Sequence, residues 1–67
     1  MKIFAERLKD LRIDAGLSAL ELSKGINVSH TAILRWERCE RIPNIEVLVM
    51  IAKFFKVSTD YLCGLED

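Results

Sequence analysis

The sequence has one histidine, two cysteines, one proline and three glycines among 67 residues, and each shortage closes off a class of protein. Cys39 and Cys63 form no CxxC pair and only His30 could join them, so a four-ligand zinc site cannot be assembled and no metal is expected. A dyad of Cys63 with His30 would rest on composition alone, because the two fall on different predicted helices; no enzymatic activity is expected. No motif calls for a cofactor or a small-molecule ligand. The longest aliphatic run, "VLVMIA", is far too short to span a bilayer, and Glu6, Arg7, Lys9 and Asp10 interrupt the apolar stretch a signal peptide would need. The expectation is a cytoplasmic protein with reduced thiols and no membrane partner.

What is present suits one small globular domain over residues 1–67, with 51% hydrophobic and 30% charged residues. A chain of this length buries only about 60% of its unfolded surface, enough for one modest core and too little for a deep catalytic cleft. The net charge is zero, which neither supports nor excludes nucleic acid as a partner, so the placement of the charges decides. Between Lys24 and Pro43, four basic residues (Lys24, Arg35, Arg38, Arg41) meet two acidic ones (Glu37, Glu40), a local excess of two.

Apolar spacing predicts helices throughout, and no stretch alternates convincingly with period two. Phe4, Leu8, Leu11 and Ala15 give a first helix over about residues 2–15, ended by Gly16. Ser18 and Glu21 form a capping box for a short second helix, about 18–24, with a stop near Gly25. Ser29 caps a third. Pro43 then bars continuation and Asn44 caps a fourth, whose core face is Ile45, Leu48, Ile51, Ala52 and Phe55. Ser58 caps a fifth that ends at Gly64.

The third helix, "SHTAILRWE", turns Ala32, Ile33 and Trp36 toward a core. At about 100° per residue, His30, Thr31, Leu34, Arg35 and Arg38 gather into an opposing arc of roughly 140°. That mixture of a ring, a hydroxyl, an isobutyl group and two guanidinia is unlike a solvated face, which usually carries Glu and Lys. Arg35 is suited to guanine, bidentate to O6 and N7, and Leu34 to a thymine methyl. The plainer alternatives are a solvated surface for His30 and Arg35 and an ordinary exposed side chain for Leu34.

A capping box, a turn of about four residues and a second helix with a polar arc, over about residues 18–37, make the layout of a helix-turn-helix. Here "LSALELSKGINVSHTAILRWERCERIPN" followed by "LVMIAKFFKVSTDYLCG" resembles the Cro and phage-repressor type of helix-turn-helix domain, often called the Xre family. The resemblance runs from about Phe4 to Gly64 and is carried most specifically by "NVSHTAILRWER", "RIPN" and "VSTDYL". It implies an all-α, five-helix bundle of the lambda-repressor-like type, with the third helix in the major groove of a near-palindromic operator and the protein acting as a homodimer. Position by position, it implies base contacts from His30, Thr31 and Arg35, with Leu34 beside them on the arc. It also implies phosphate contacts from Ser29 and Arg38, to which the positive charge of Arg41 is added, and a structural ion pair between Arg12 and Glu37. The chain departs from the family in three places. Ala19 replaces a phosphate-contacting Gln, Asn27 a turn Gly, and Cys39 a helix-capping Gly, where a residue with a Cβ is strained in the left-handed region.

Two functional readings follow. The first is a sequence-specific DNA-binding transcriptional regulator, a repressor. The second is a protein-interaction module, an antirepressor or a regulator's partner, that keeps the fold without DNA; Ala19, the zero net charge and the surplus apolar surface keep it open. Val47, Met50 and Phe54 form a second apolar stripe on the fourth helix, expected with Cys63 to make a dimer interface; the alternative is packing on Ile3 and Phe4 within one chain.

Overall fold

The computed structural model describes residues 2–67, among which there are five helices and no strand: α1 (Lys2–Asp14), α2 (Ala19–Ile26), α3 (His30–Glu37), α4 (Ile45–Phe55) and α5 (Thr59–Cys63). This is the all-α bundle the resemblance implied. Four of the five helices start at a side-chain cap. Ser18, Ser29, Asn44 and Ser58 each hold extended backbone and accept a bond from the N–H three residues on, satisfying a donor that the first turn would otherwise leave without a partner.

One core serves all five helices. Phe4 and Leu8 of α1, Leu22 and Ile26 of α2, Ile33 and Trp36 of α3, Ile51 and Ala52 of α4, and Leu62 of α5 meet in it, every one buried. α3 packs between α1 and α2, α4 against α2 and α5, and α5 closes back on α1. Arg7 staples the last contact: its guanidinium lies 4.3 Å over the Tyr61 ring and donates to the carbonyls of Tyr61 and Glu66.

Four details differ from the periodicity. α2 runs through Gly25 to Ile26, because the Phe54 ring lies where a Cβ at Gly25 would sit, 2.7 Å from Cε1; the glycine is there for helix packing, and Asn27 ends the helix. Ile45, expected in the core face of α4, is 78% exposed, since the first turn of that helix projects beyond its neighbours. Ala15 is exposed for a similar reason, lying just past the end of α1. Lys56, at φ 57, adopts the left-handed conformation with no glycine or asparagine to announce it; its N–H and that of Val57 satisfy the Ala52 and Lys53 carbonyls at the end of α4.

Arg12 joins three segments. Its Nε and Nη2 donate to the two carboxylate oxygens of Glu37 at 2.7 and 2.9 Å, and its Nη1 donates to the Leu17 carbonyl at 2.9 Å. The two side chains are 15% and 7% exposed, so the pair is largely desolvated, and Glu37 holds the guanidinium pKa above its ordinary value. Arg12→Met strands the Glu37 charge and the Leu17 carbonyl together and is expected to cost about 3 kcal/mol. Urea unfolding monitored by circular dichroism measures this, and an unchanged midpoint refutes the structural role of the pair.

Candidate nucleic-acid interface

The site is built by two helices with little chain between them. The Ser18 hydroxyl accepts the Glu21 N–H at 3.0 Å while the Glu21 carboxylate accepts the Ser18 N–H at 2.9 Å, a closed capping box that fixes where α2 begins. At its far end Asn27, φ 56, and Val28 both donate their N–H groups to the Ser23 carbonyl, which turns the chain toward Ser29. The Ser29 hydroxyl accepts the Ala32 N–H at 3.1 Å and starts α3. Beyond α3, the Cys39 N–H donates to the Trp36 carbonyl and the Glu40 N–H to that of Arg35. Cys39 itself sits at φ 63, the strained position expected where a glycine would be easier. This tight turn brings Arg41 and Ile42 back beside α3.

There they complete a groove of about 220 Å³, lined by Ser29, Thr31, Ala32 and Arg35 on one side, Arg41 and Ile42 on the other, and Trp36 at its base. Its lining side chains carry two hydroxyls, two guanidinia and the Trp36 indole N–H, and no carboxylate lines it. The Arg12–Glu37 pair is the one ion pair among the described residues, so Arg35, Arg38 and Arg41 keep their charge uncompensated. The first-turn N–H groups of α3 open beside Ser29 and add partial positive charge. Such a groove accepts an anionic or acceptor-rich edge: phosphate oxygens, or the O6 and N7 of a purine.

The structure brings Ser29, Thr31, Arg35 and Arg41 together, and leaves the other members of the arc outside this groove. His30 is exposed in the first turn of α3, and Arg38 is exposed at its C-cap. Leu34, expected to point outward, is half-buried and packs on the core. Sequence periodicity missed Ile42 and Arg41 as groove walls beside α3, since their position comes from the turn at Cys39 rather than from helical spacing. Ala19, at the family's phosphate-contacting Gln position, is buried. Among the described residues, no three His, Cys, Asp or Glu side chains are placed to hold a metal.

The residues expected to share a dimer interface fall on two flanks of α4. Val47 is half-buried against the core, while Met50 and Phe54 are 39% and 41% exposed. Phe54 lies over Gly25 and edge-on to Phe55, with ring centroids 5.0 Å apart, rather than on Ile3. Cys63 lies on the opposite flank, in a second groove with Phe4, Ile42, Pro43, Ile45 and Leu48.

The caps of α2 and α3 can be tested separately. The Ser18 backbone N–H, and then its hydroxyl, lower the Glu21 pKa. Glu21 therefore adds stability that is present above its unfolded-state pKa and is lost as pH falls through the lower folded value. Glu21→Gln keeps a capping side chain without the charge, and is expected to remove part of the acid-limb pH dependence of the melting temperature. Ser29→Ala is expected to cost about 1 kcal/mol by removing the α3 cap, and Ser29→Asp to restore most of it; chemical unfolding of the two variants checks this.

Residues 8–62 match the helix-turn-helix family. The HTH-type transcriptional activator BcrR of Enterococcus faecalis is 41% identical over 64 residues, covering 96% of this chain and 31% of that protein. Repressor protein C2 of Salmonella phage P22 is 36% identical over 61 residues, covering 91% of this chain and 28% of that protein. The chain thus spans about a third of the length of these curated relatives. The crystal structure of the P22 c2 repressor protein in complex with synthetic operator 9T, in the presence of Tl+, matches the fold with a TM-score of 0.86 at 35% identity, over 92% of this chain and 94% of that one. With the capped helix pair, the short turn and the arginine groove all lying inside the matched span, the chain belongs to the Cro and phage-repressor type of helix-turn-helix family.

Proposed function

We propose that this chain is a sequence-specific DNA-binding transcriptional regulator that sets α3 in the major groove of an operator and represses by occupying it. The observation that carries the reading is the groove along α3, where Thr31, Arg35 and Arg41 present donors with no carboxylate among them. Regulators among the relatives, and a fold neighbour bound to an operator, support it. Arg35 and Thr31 read base edges, with His30 at the start of the helix. Ser29, Arg38 and Arg41 hold phosphates, and Leu34, being half-buried, offers only its exposed edge to a thymine methyl. A local excess of two charges gives one copy weak affinity, so the working form is a homodimer on a near-palindromic site, in the cytoplasm.

Fluorescence anisotropy on random duplex, at low and then moderate salt, tests DNA binding. Strongly salt-dependent binding supports the proposal, and its absence at low salt leaves the protein-interaction reading in place. Selection from a random duplex library then supplies the preferred site. On that site Arg35→Ala is expected to cost about 1 to 3 kcal/mol and to relax preference at one base pair. Arg38→Ala is expected to weaken selected and random duplex nearly equally and to flatten the slope of log affinity against log salt by about one unit. If Arg35→Ala and the parent protein select the same sequence, α3 does not read bases through Arg35.

A further inference from the structure

Trp36 serves two surfaces. Its ring belongs to the core with Leu8, Leu22 and Ile33 and is only 6% exposed, yet it also forms the base of the groove along α3. The indole carries one polar group, an N–H that donates and never accepts. Among the described residues that N–H has no hydrogen-bond partner, and no fully sealed side-chain nitrogen or oxygen is left unpaired. The N–H is therefore open, and the surface it opens on is the groove that Trp36 lines. A ligand that fills the groove displaces water from this N–H and has to accept from it in turn. An apolar ring serves the core as well; the indole adds a donor aimed outward.

The neighbouring groups narrow the ligand. The Ser29 hydroxyl oxygen already accepts the Ala32 N–H, which leaves its own proton to donate, and the Arg35 and Arg41 guanidinia have no carboxylate partner. Donors without acceptors and cations without anions meet around about 220 Å³, which selects an anion with several acceptor oxygens. Depth narrows the ligand further. A base edge lies at the floor of a DNA groove and is reached by side chains that project from the protein, as Arg35 does. A donor sunk at the base of a cleft is reached only by a group that projects toward the protein, and phosphate oxygens, on the outside of a duplex or on a free ligand, do that. The core also holds the Trp36 ring in place, so this donor loses no rotamer freedom on binding, whereas an exposed arginine does.

We infer that the base of the α3 groove seats one phosphate group, with the Trp36 indole N–H and the Ser29 hydroxyl as neutral donors and Arg41 as the cation. Helical spacing puts Trp36 on the core side of α3, so the seat adds a core residue to the contacts of the proposed function. With DNA as the source of the phosphate, the seat rests on that reading. A neutral donor leaves its own mark on binding. Its loss weakens the complex without changing how many counterions are released, whereas loss of Arg41 changes both.

Two titrations separate the sources. In the first, the selected duplex is bound by the parent protein and by Trp36→Phe, with each backbone phosphate in turn replaced by an uncharged methylphosphonate. Trp36→Phe is expected to weaken selected and random duplex alike by about tenfold, with the salt slope unchanged. One methylphosphonate position is expected to cost the parent protein at least about tenfold and the variant less than about threefold, because the two changes remove the same contact. If Trp36→Phe does not fold, replacing the Trp36 indole by the isosteric benzothiophene ring removes the N–H alone and gives the same reading. In the second titration, inorganic phosphate is added to the DNA-free protein at constant ionic strength and the emission of Trp36, the only tryptophan, is followed. A saturable change is expected, with a dissociation constant at least about tenfold higher in Arg41→Ala. A coupled methylphosphonate position assigns the seat to DNA. A phosphate response without such a position assigns it to a free phosphorylated ligand, and if the duplex does not bind at all, the DNA reading alone is refuted. Neither a coupled position nor a phosphate response leaves Trp36 a core residue only and overturns the inference.

Discussion

The Arg12–Glu37 pair sets the frame in which every other feature of this protein acts. It ties α1 to the last residue of α3, and through the Leu17 carbonyl it also fixes the turn that leads into α2. An arginine is required because the contact uses three nitrogens of one planar group at once, which a lysine ammonium on a flexible stem cannot reproduce. With its inner end held this way, α3 cannot roll about its axis. The side chains it presents to solvent are then chosen by helical phase, not by local flexibility.

α3 consequently does three things in eight residues. Ile33 and Trp36 enter the core, Glu37 is committed to α1, and Thr31 and Arg35 face the open groove. The zero net charge of the chain hides this division. Once Glu37 is spent on Arg12, the arginines around α3 stand without a carboxylate partner, and the surface that matters is more positive than the composition. A domain this small has no spare surface: the turn after α3 both supplies an arginine to the charged groove and begins the apolar one.

The chain turns with few glycines. Asn27, Cys39 and Lys56 take left-handed backbone conformations, each directing the chain out of a helix. Asn27 adopts that region readily, while Cys39 and Lys56 carry a cost of about 1 kcal/mol each, offset by the end-of-helix carbonyls that their turns satisfy. These positions hold their geometry because the flanking helices are anchored in one core. Strain here is a consequence of packing, and at Cys39 it falls in the turn that joins α3 to Arg41 and Ile42 of the groove.

The sequence by itself determined the helices, their starts and the bundle. Four side-chain caps and the 3.6-residue spacing of Phe4, Leu8, Leu22, Ile33, Trp36 and Ile51 act within a few residues of chain, and local chemistry of that range is written in order. The Arg12–Glu37 pair was legible because matching positions in the resembling family carry it, and the presence of Thr31 and Arg35 on the open side of α3 followed from helical spacing. Tertiary structure alone decided what depends on neighbours distant in the chain. The Phe54 ring packs over Gly25 and α2 runs on to Ile26, Leu34 is half-buried against the core, and Ile45 at the start of α4 is left bare. Periodicity assigns a residue to a face of its helix. Whether that face is covered, and whether Arg41 and Ile42 arrive beside it, depends on how the helices cross and on the turn at Cys39, and neither has a period to read.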